Sequence, residues 1–180
     1  GGGCEFCLNA DAVQAHAETY IGLVEVGVGL IPGWGGCGEM LQRWQDNPRQ
    51  PRGPMPAVSK AFEIISTATV AKSAPDAQDL GFLRPTDGIT MNRDRLLHDA
   101  KTRALALADG YTPPKPPVFT LPGPSGRAAL QLAVDSFRKT GLATPYDEVV
   151  AGELAQVLTG GAADITETIT AMREGVIHEL

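Results

Sequence analysis

Apolar positions recur at helical spacing through most of this chain. Val58, Phe62 and Ile65 fall at i, i+4 and i+7 and predict a helix over 57–67. Leu97, Ala100, Ala104 and Leu107 form a stripe between a capping Asn92 and a terminating Gly110, which predicts a second helix over 92–109 with His98 on its polar side. Met40, Leu41 and Trp44 mark another helix, from Gly35 to just before Asn47-Pro48. Leu130, Val134 and Phe137 predict a helix opening at Ser125, and Val149, Val150, Leu154 and Val157 predict one from Pro145 to the Gly160-Gly161 stop. Ser73 caps a short helix over 77–80, closed by Gly81. A weaker pattern over 165–180 predicts a last helix. The rest reads as short extended pieces: 11–17, where Val13 and Ala15 alternate, 18–22, and Phe82-Leu83.

Prolines divide the chain. Pro48, Pro51, Pro54 and Pro56 make a stiff loop over 47–56, whose Arg49 and Arg52 read as solvated. Pro113, Pro114, Pro116, Pro117, Pro122 and Pro124 make 112–124 a linker or extended arm. The expected partition is a core over 1–111, this arm, and a helical region over 125–180.

The 180 residues suit one domain or one and a half, and 43% hydrophobic residues supply a sizeable core. A net charge of −6 argues against nucleic acid as a partner, since phosphate binding needs a basic face. No apolar run approaches the ~20 residues of a membrane span. Three cysteines, Cys4, Cys7 and Cys37, suggest free thiols in a reducing compartment. Cys4-x-x-Cys7 alone is a weak redox or zinc signal; packing as small apolar residues is the better reading. No metal site is expected. Gly27, Gly29, Gly33, Gly35 and Gly36 miss the nucleotide-binding spacing G-x-G-x-x-G because Pro32 stands at the last glycine.

Candidate chemistry concentrates in the first forty residues. Gly1-Gly2-Gly3-Cys4-Glu5 leads into a short helix over 4–10, whose first N–H groups lack intrahelical partners and suit an oxygen gaining negative charge. Glu25 stands in the mostly apolar run 20–32; desolvation there raises a carboxyl pKa, which suits a proton donor. Twenty residues separate the two carboxylates.

GGGCE, then Asp11-x-Val13-x-Ala15, then YIGLVEVGVGLIP followed by Gly33-x-Gly35-Gly36 resembles the crotonase (enoyl-CoA hydratase) superfamily. Within it, the likeness is to the hydratase domain of fused 3-hydroxyacyl-CoA dehydrogenase/enoyl-CoA hydratase proteins, and it extends to about Gly161. The resemblance implies an α/β fold: the second half of a crotonase-type spiral core followed by C-terminal α-helices. It implies hydration of trans-2-enoyl-CoA, with Glu5 helping to activate a water for attack at C3 and Glu25 protonating C2. Gly2 would supply one N–H to the thioester carbonyl, and Gly33 would be the turn glycine facing Glu25. Trp34, where many members carry a small residue, would narrow the acyl pocket or pack.

By the same resemblance the chain opens in mid-motif, without an initiator Met, and reads as a fragment whose upstream half completes the core. CoA thioester is then a substrate and no cofactor is expected in this segment, NAD being reserved for an upstream dehydrogenase domain. The expected location is the cytoplasm. The expected partners are acyl-CoA, the upstream half of the same polypeptide and other copies in a homo-oligomer. A catalytically incomplete docking or oligomerisation module and an enoyl-CoA isomerase are the competing readings.

Overall fold

The computed structural model describes residues 1–160; the helix expected over 165–180 lies outside them. The described chain is mixed α/β. In order come α1 (Gly2–Leu8), β1 (Gln14–His16), β2 (Ile21–Gly22), a 3-10 turn (Glu25–Val28), α2 (Gly36–Gln45), α3 (Pro54–Ser66), β3 (Val70–Ala71), α4 (Ala74–Asp79), β4 (Gly88–Thr90), a second 3-10 turn (Arg93–Arg95), α5 (Leu96–Ala108), α6 (Gly123–Lys139) and α7 (Pro145–Thr159). β1 pairs in parallel with β4, Gln14 opposite Gly88, and β2 pairs antiparallel with β3, Ile21 opposite Ala71. Short strands and helices are thus followed by a helical pair, the order expected of a crotonase-type piece.

Caps set the helix starts. The Ser73 hydroxyl accepts from the Asp76 N–H, Asn92 from the Asp94 N–H, and Thr144 and Asp147 form a reciprocal capping box under α7. Pro54 and Pro145 open α3 and α7, where a missing N–H is harmless.

Three expectations need correction. Phe82-Leu83 is not a strand: both residues are fully buried in the turn after α4, and the strand lies at Gly88–Thr90. α1 begins at Gly2, so the glycines form its first turn rather than its approach. The stripe on α5 is not a buried face: Leu97 is 82% exposed and the helix buries no residue.

One apolar cluster runs from Cys4 and Leu8 through Met40, Leu41, Val58, Ile64 and Phe82 to Leu130, Leu154 and Leu158. The proline arm is tied to this body. Phe119 is buried, and the Gln45 carboxamide donates to the Val118 carbonyl (2.9 Å) and accepts from the Thr120 N–H (3.3 Å). Helices α6 and α7 pack on each other, and α7 packs on α2, α3 and the Glu25 turn.

Candidate active site

Glu5 lies in the first turn of α1 and is 3% exposed. Its Oε1 accepts two backbone hydrogen bonds, from Trp34 N–H (2.8 Å) and Gly36 N–H (2.9 Å). The glycine turn before α2 therefore closes onto this carboxylate. Gly36 must be glycine for that approach: an added Cβ would stand 2.8 Å from Glu5 Oε1 and 3.0 Å from Leu23 Cδ2. Gly35 turns the chain with φ +93°, a conformation that glycine adopts without penalty. No described hydrogen bond engages Glu5 Oε2.

Two side chains brace the arrangement. The Asn9 carboxamide nitrogen donates to the Glu5 carbonyl (2.9 Å) and to the Trp34 carbonyl (3.0 Å). Arg43, in the last turn of α2, donates to the Leu8 carbonyl at the end of α1 (2.8 Å) and to the Gly81 and Phe82 carbonyls. Burial lowers the Arg43 guanidinium to a pKa of about 10, with Arg84 nearby adding to the effect.

Glu25 opens the first 3-10 turn, which buries no residue. Its side chain is 15% exposed; Oε1 lies 3.5 Å from the Gly1 nitrogen, and Oε2 is buried without a hydrogen bond. The Gly1 nitrogen also donates to the Gly22 carbonyl (2.7 Å), which fixes the start of α1 against the end of β2. Gly29 caps the turn with φ +80° against the ring of Tyr146 on α7.

The structure thus brings the expected residues into one neighbourhood. Gly2 follows the Gly1 nitrogen at Glu25, and Gly33 sits in the turn whose next residues hold Glu5. Both carboxylates also act on Cys37: burial pushes this thiol up, and the charges of Glu5 and Glu25 push it further. No described hydrogen bond joins Gly33 to Glu25; the Trp34 and Gly36 N–H groups of the turn go to Glu5. Trp34 does not pack, since it is 82% exposed. The sequence reading passed over Asn9 and Arg43. An Asn directly after an apolar helix end was the available signal for the first, because a short carboxamide there can reach the freed carbonyls.

No protein-family model matches the chain. A "Probable 3-hydroxyacyl-CoA dehydrogenase" of Bacillus subtilis (strain 168) is 43% identical over 162 residues, 89% of this chain and 20% of that protein. A protein of Rickettsia prowazekii (strain Madrid E), provisionally named a fatty acid oxidation complex trifunctional enzyme, is 53% identical over 47 residues, 26% of this chain and 6% of that protein. The chain therefore spans a fifth or less of the length of these relatives. Among solved structures, carnitinyl-CoA hydratase from Mycobacterium avium aligns with 96% of this chain and 51% of its own, at 22% identity and a TM-score of 0.43, a likeness too distant to carry weight. Across nearly all its length the chain is similar to one segment of a protein named a probable 3-hydroxyacyl-CoA dehydrogenase, and over a shorter stretch to a protein named for fatty acid oxidation.

Proposed function

We propose that this chain carries the acid–base half of an enoyl-CoA hydratase, in a longer polypeptide that also holds 3-hydroxyacyl-CoA dehydrogenase activity and uses NAD there. The observation that carries the reading is the unequal state of two neighbouring carboxylates. Glu5 Oε1 is saturated by two N–H donors, and Glu25 Oε2 is buried with no hydrogen bond. A buried unpaired oxygen is costly, by roughly 1–3 kcal/mol, unless a partner arrives. A water held between the carboxylates and above C2–C3 of an enoyl thioester is such a partner.

In the proposed reaction the water oxygen bonds to C3 as Glu5 accepts its proton. The C2–C3 π electrons pass toward the thioester carbonyl, whose oxygen takes hydrogen bonds from the Gly2 N–H and a second donor upstream. Glu25 then delivers a proton to C2, giving 3-hydroxyacyl-CoA. Loss of one oxyanion donor lowers such rates ~10²–10³-fold. The isolated chain, with one donor, is expected to be inactive or nearly so. The same reading takes acyl-CoA, the upstream half of the polypeptide and further copies as partners. It places the protein in the cytoplasm and treats 1–111, 112–124 and 125–180 as core, arm and helical region.

The test is hydration of crotonyl-CoA by the full-length polypeptide, comparing Glu25→Gln with the unmodified protein. The expected result is a kcat lower by several orders of magnitude with the melting profile intact. Unchanged hydration would sink the proposal and leave an inherited shell used for docking. Conversion to a shifted double bond without water uptake would make it an isomerase.

A further inference from the structure

Glu5 is the start and the end of a closed ring of hydrogen bonds. Its Oε1 takes the Trp34 N–H; the Trp34 carbonyl takes one N–H of the Asn9 carboxamide; the same nitrogen gives its other N–H to the Glu5 carbonyl. The Asn9 backbone N–H donates to that carbonyl as well (3.1 Å). Both acceptors of the side chain are carbonyl oxygens, so only a nitrogen can stand between them. Asn9 itself is exposed and contributes nothing to the apolar core. Its contacts join the helix that carries Glu5 to the turn that holds Glu5, across 25 residues of chain.

Building on the hydratase reading, we propose that Asn9 is a positioning residue for Glu5. It touches no reacting atom. By gripping the Trp34 carbonyl it fixes the Trp34–Gly35 peptide, which lies between the Trp34 and Gly36 N–H groups, so that both keep facing Oε1; one oxygen of the carboxylate stays occupied and the other available to water. Gly35 makes room for the grip: an added Cβ there would stand 3.3 Å from the Asn9 amide nitrogen. An Asp at position 9 has the same shape and no N–H to offer, and it would set a carboxylate oxygen against a carbonyl oxygen.

The test is a double-mutant cycle on the full-length polypeptide with crotonyl-CoA, with melting curves for every variant. Asn9→Ala is expected to lower kcat about tenfold and to leave KM within about twofold, since one lost hydrogen bond is worth about that in rate. Asn9→Asp is expected to lower kcat at least as far. In the Glu5→Gln background the same Asn9→Ala change is expected to alter kcat by less than about twofold, because the residue acts only through Glu5. A tenfold loss that persists undiminished in the Glu5→Gln background, an Asn9→Asp variant with full kcat, or an Asn9→Ala variant with full kcat would each overturn the assignment. Glu5→Gln with unchanged hydration would instead bring down the hydratase reading and this inference with it.

Discussion

Glu5 and Glu25 are held by opposite means. Around Glu5 everything converges: helix α1, the turn over 32–36 and the start of α2 all meet at a carboxylate that is 3% exposed and hydrogen-bonded to the backbone. Around Glu25 there is a four-residue 3-10 turn with no buried residue, ending in exposed Val28 and flanked by exposed Val24 and Leu30. Backbone N–H donors fix an acceptor in place. Glu25 has no backbone donor of this kind; its described contact is the Gly1 nitrogen at 3.5 Å. The difference suits the proposed division of labour, with Glu5 as proton acceptor and Glu25 as proton donor.

The sharpest way to break the contrast is to crowd the anchored side. Gly36→Ala would drive a methyl into Glu5 Oε1 and Leu23. It is expected to destabilise the protein by about 1–3 kcal/mol, read as a lower midpoint in denaturant unfolding, and to lower hydration with it. A wild-type midpoint would mean that the turn is not seated on Glu5.

A smaller effect comes from the thiols beneath the site. Burial pushes Cys4 from 9.0 up to about 12, and Cys37 is raised also. Both therefore stay protonated in the fold after they ionise in the unfolded chain. The stability they add is complete below about pH 9 and is lost as pH rises above it, by at most ~1.4 kcal/mol per pH unit per thiol. The window is about pH 9 to 10, where Arg43, lowered to about 10, already titrates in the opposite sense and offsets part of the fall in every variant alike. Cys37→Ala is expected to flatten the fall in unfolding free energy across that window. An unchanged slope would show that Cys37 is solvated.

The smallest effect belongs to the loose side. Val28 is 77% exposed, and Val28→Ala should change stability by no more than about 0.5 kcal/mol in the same unfolding experiment. A loss above 2 kcal/mol would mean that the Glu25 turn is as tightly packed as its partner.

What the sequence disclosed follows this division. Helices α3, α6 and α7 were legible because their apolar spacing and caps agree, and Ser73 and Asn92 announced their caps by residue type. The pair Glu5 and Glu25 was legible through the motif around them. The destination of the turn's N–H groups was not, because a backbone donor leaves no mark in residue identity; only Gly36, forbidden a side chain by Glu5, hints at it. Phe82-Leu83 misled because a buried apolar pair looks alike in a strand and in a turn. Leu97 misled because a periodic stripe states which positions could be buried, and α5 meets the body mainly through polar contacts such as Thr90 to Asp99 (2.9 Å).

The parallel pairing of β1 with β4 carries a consequence for the order of assembly. Gln14 meets Gly88 only after 74 residues have been gathered in, whereas Gly36 reaches Glu5 across 31. Loop closure alone makes the longer encounter less favourable by ~0.8 kcal/mol, and non-local parallel pairing is slow because that closure comes before its contacts are gained. By chain entropy alone, the grip on the carboxylate can therefore close while the sheet is still open.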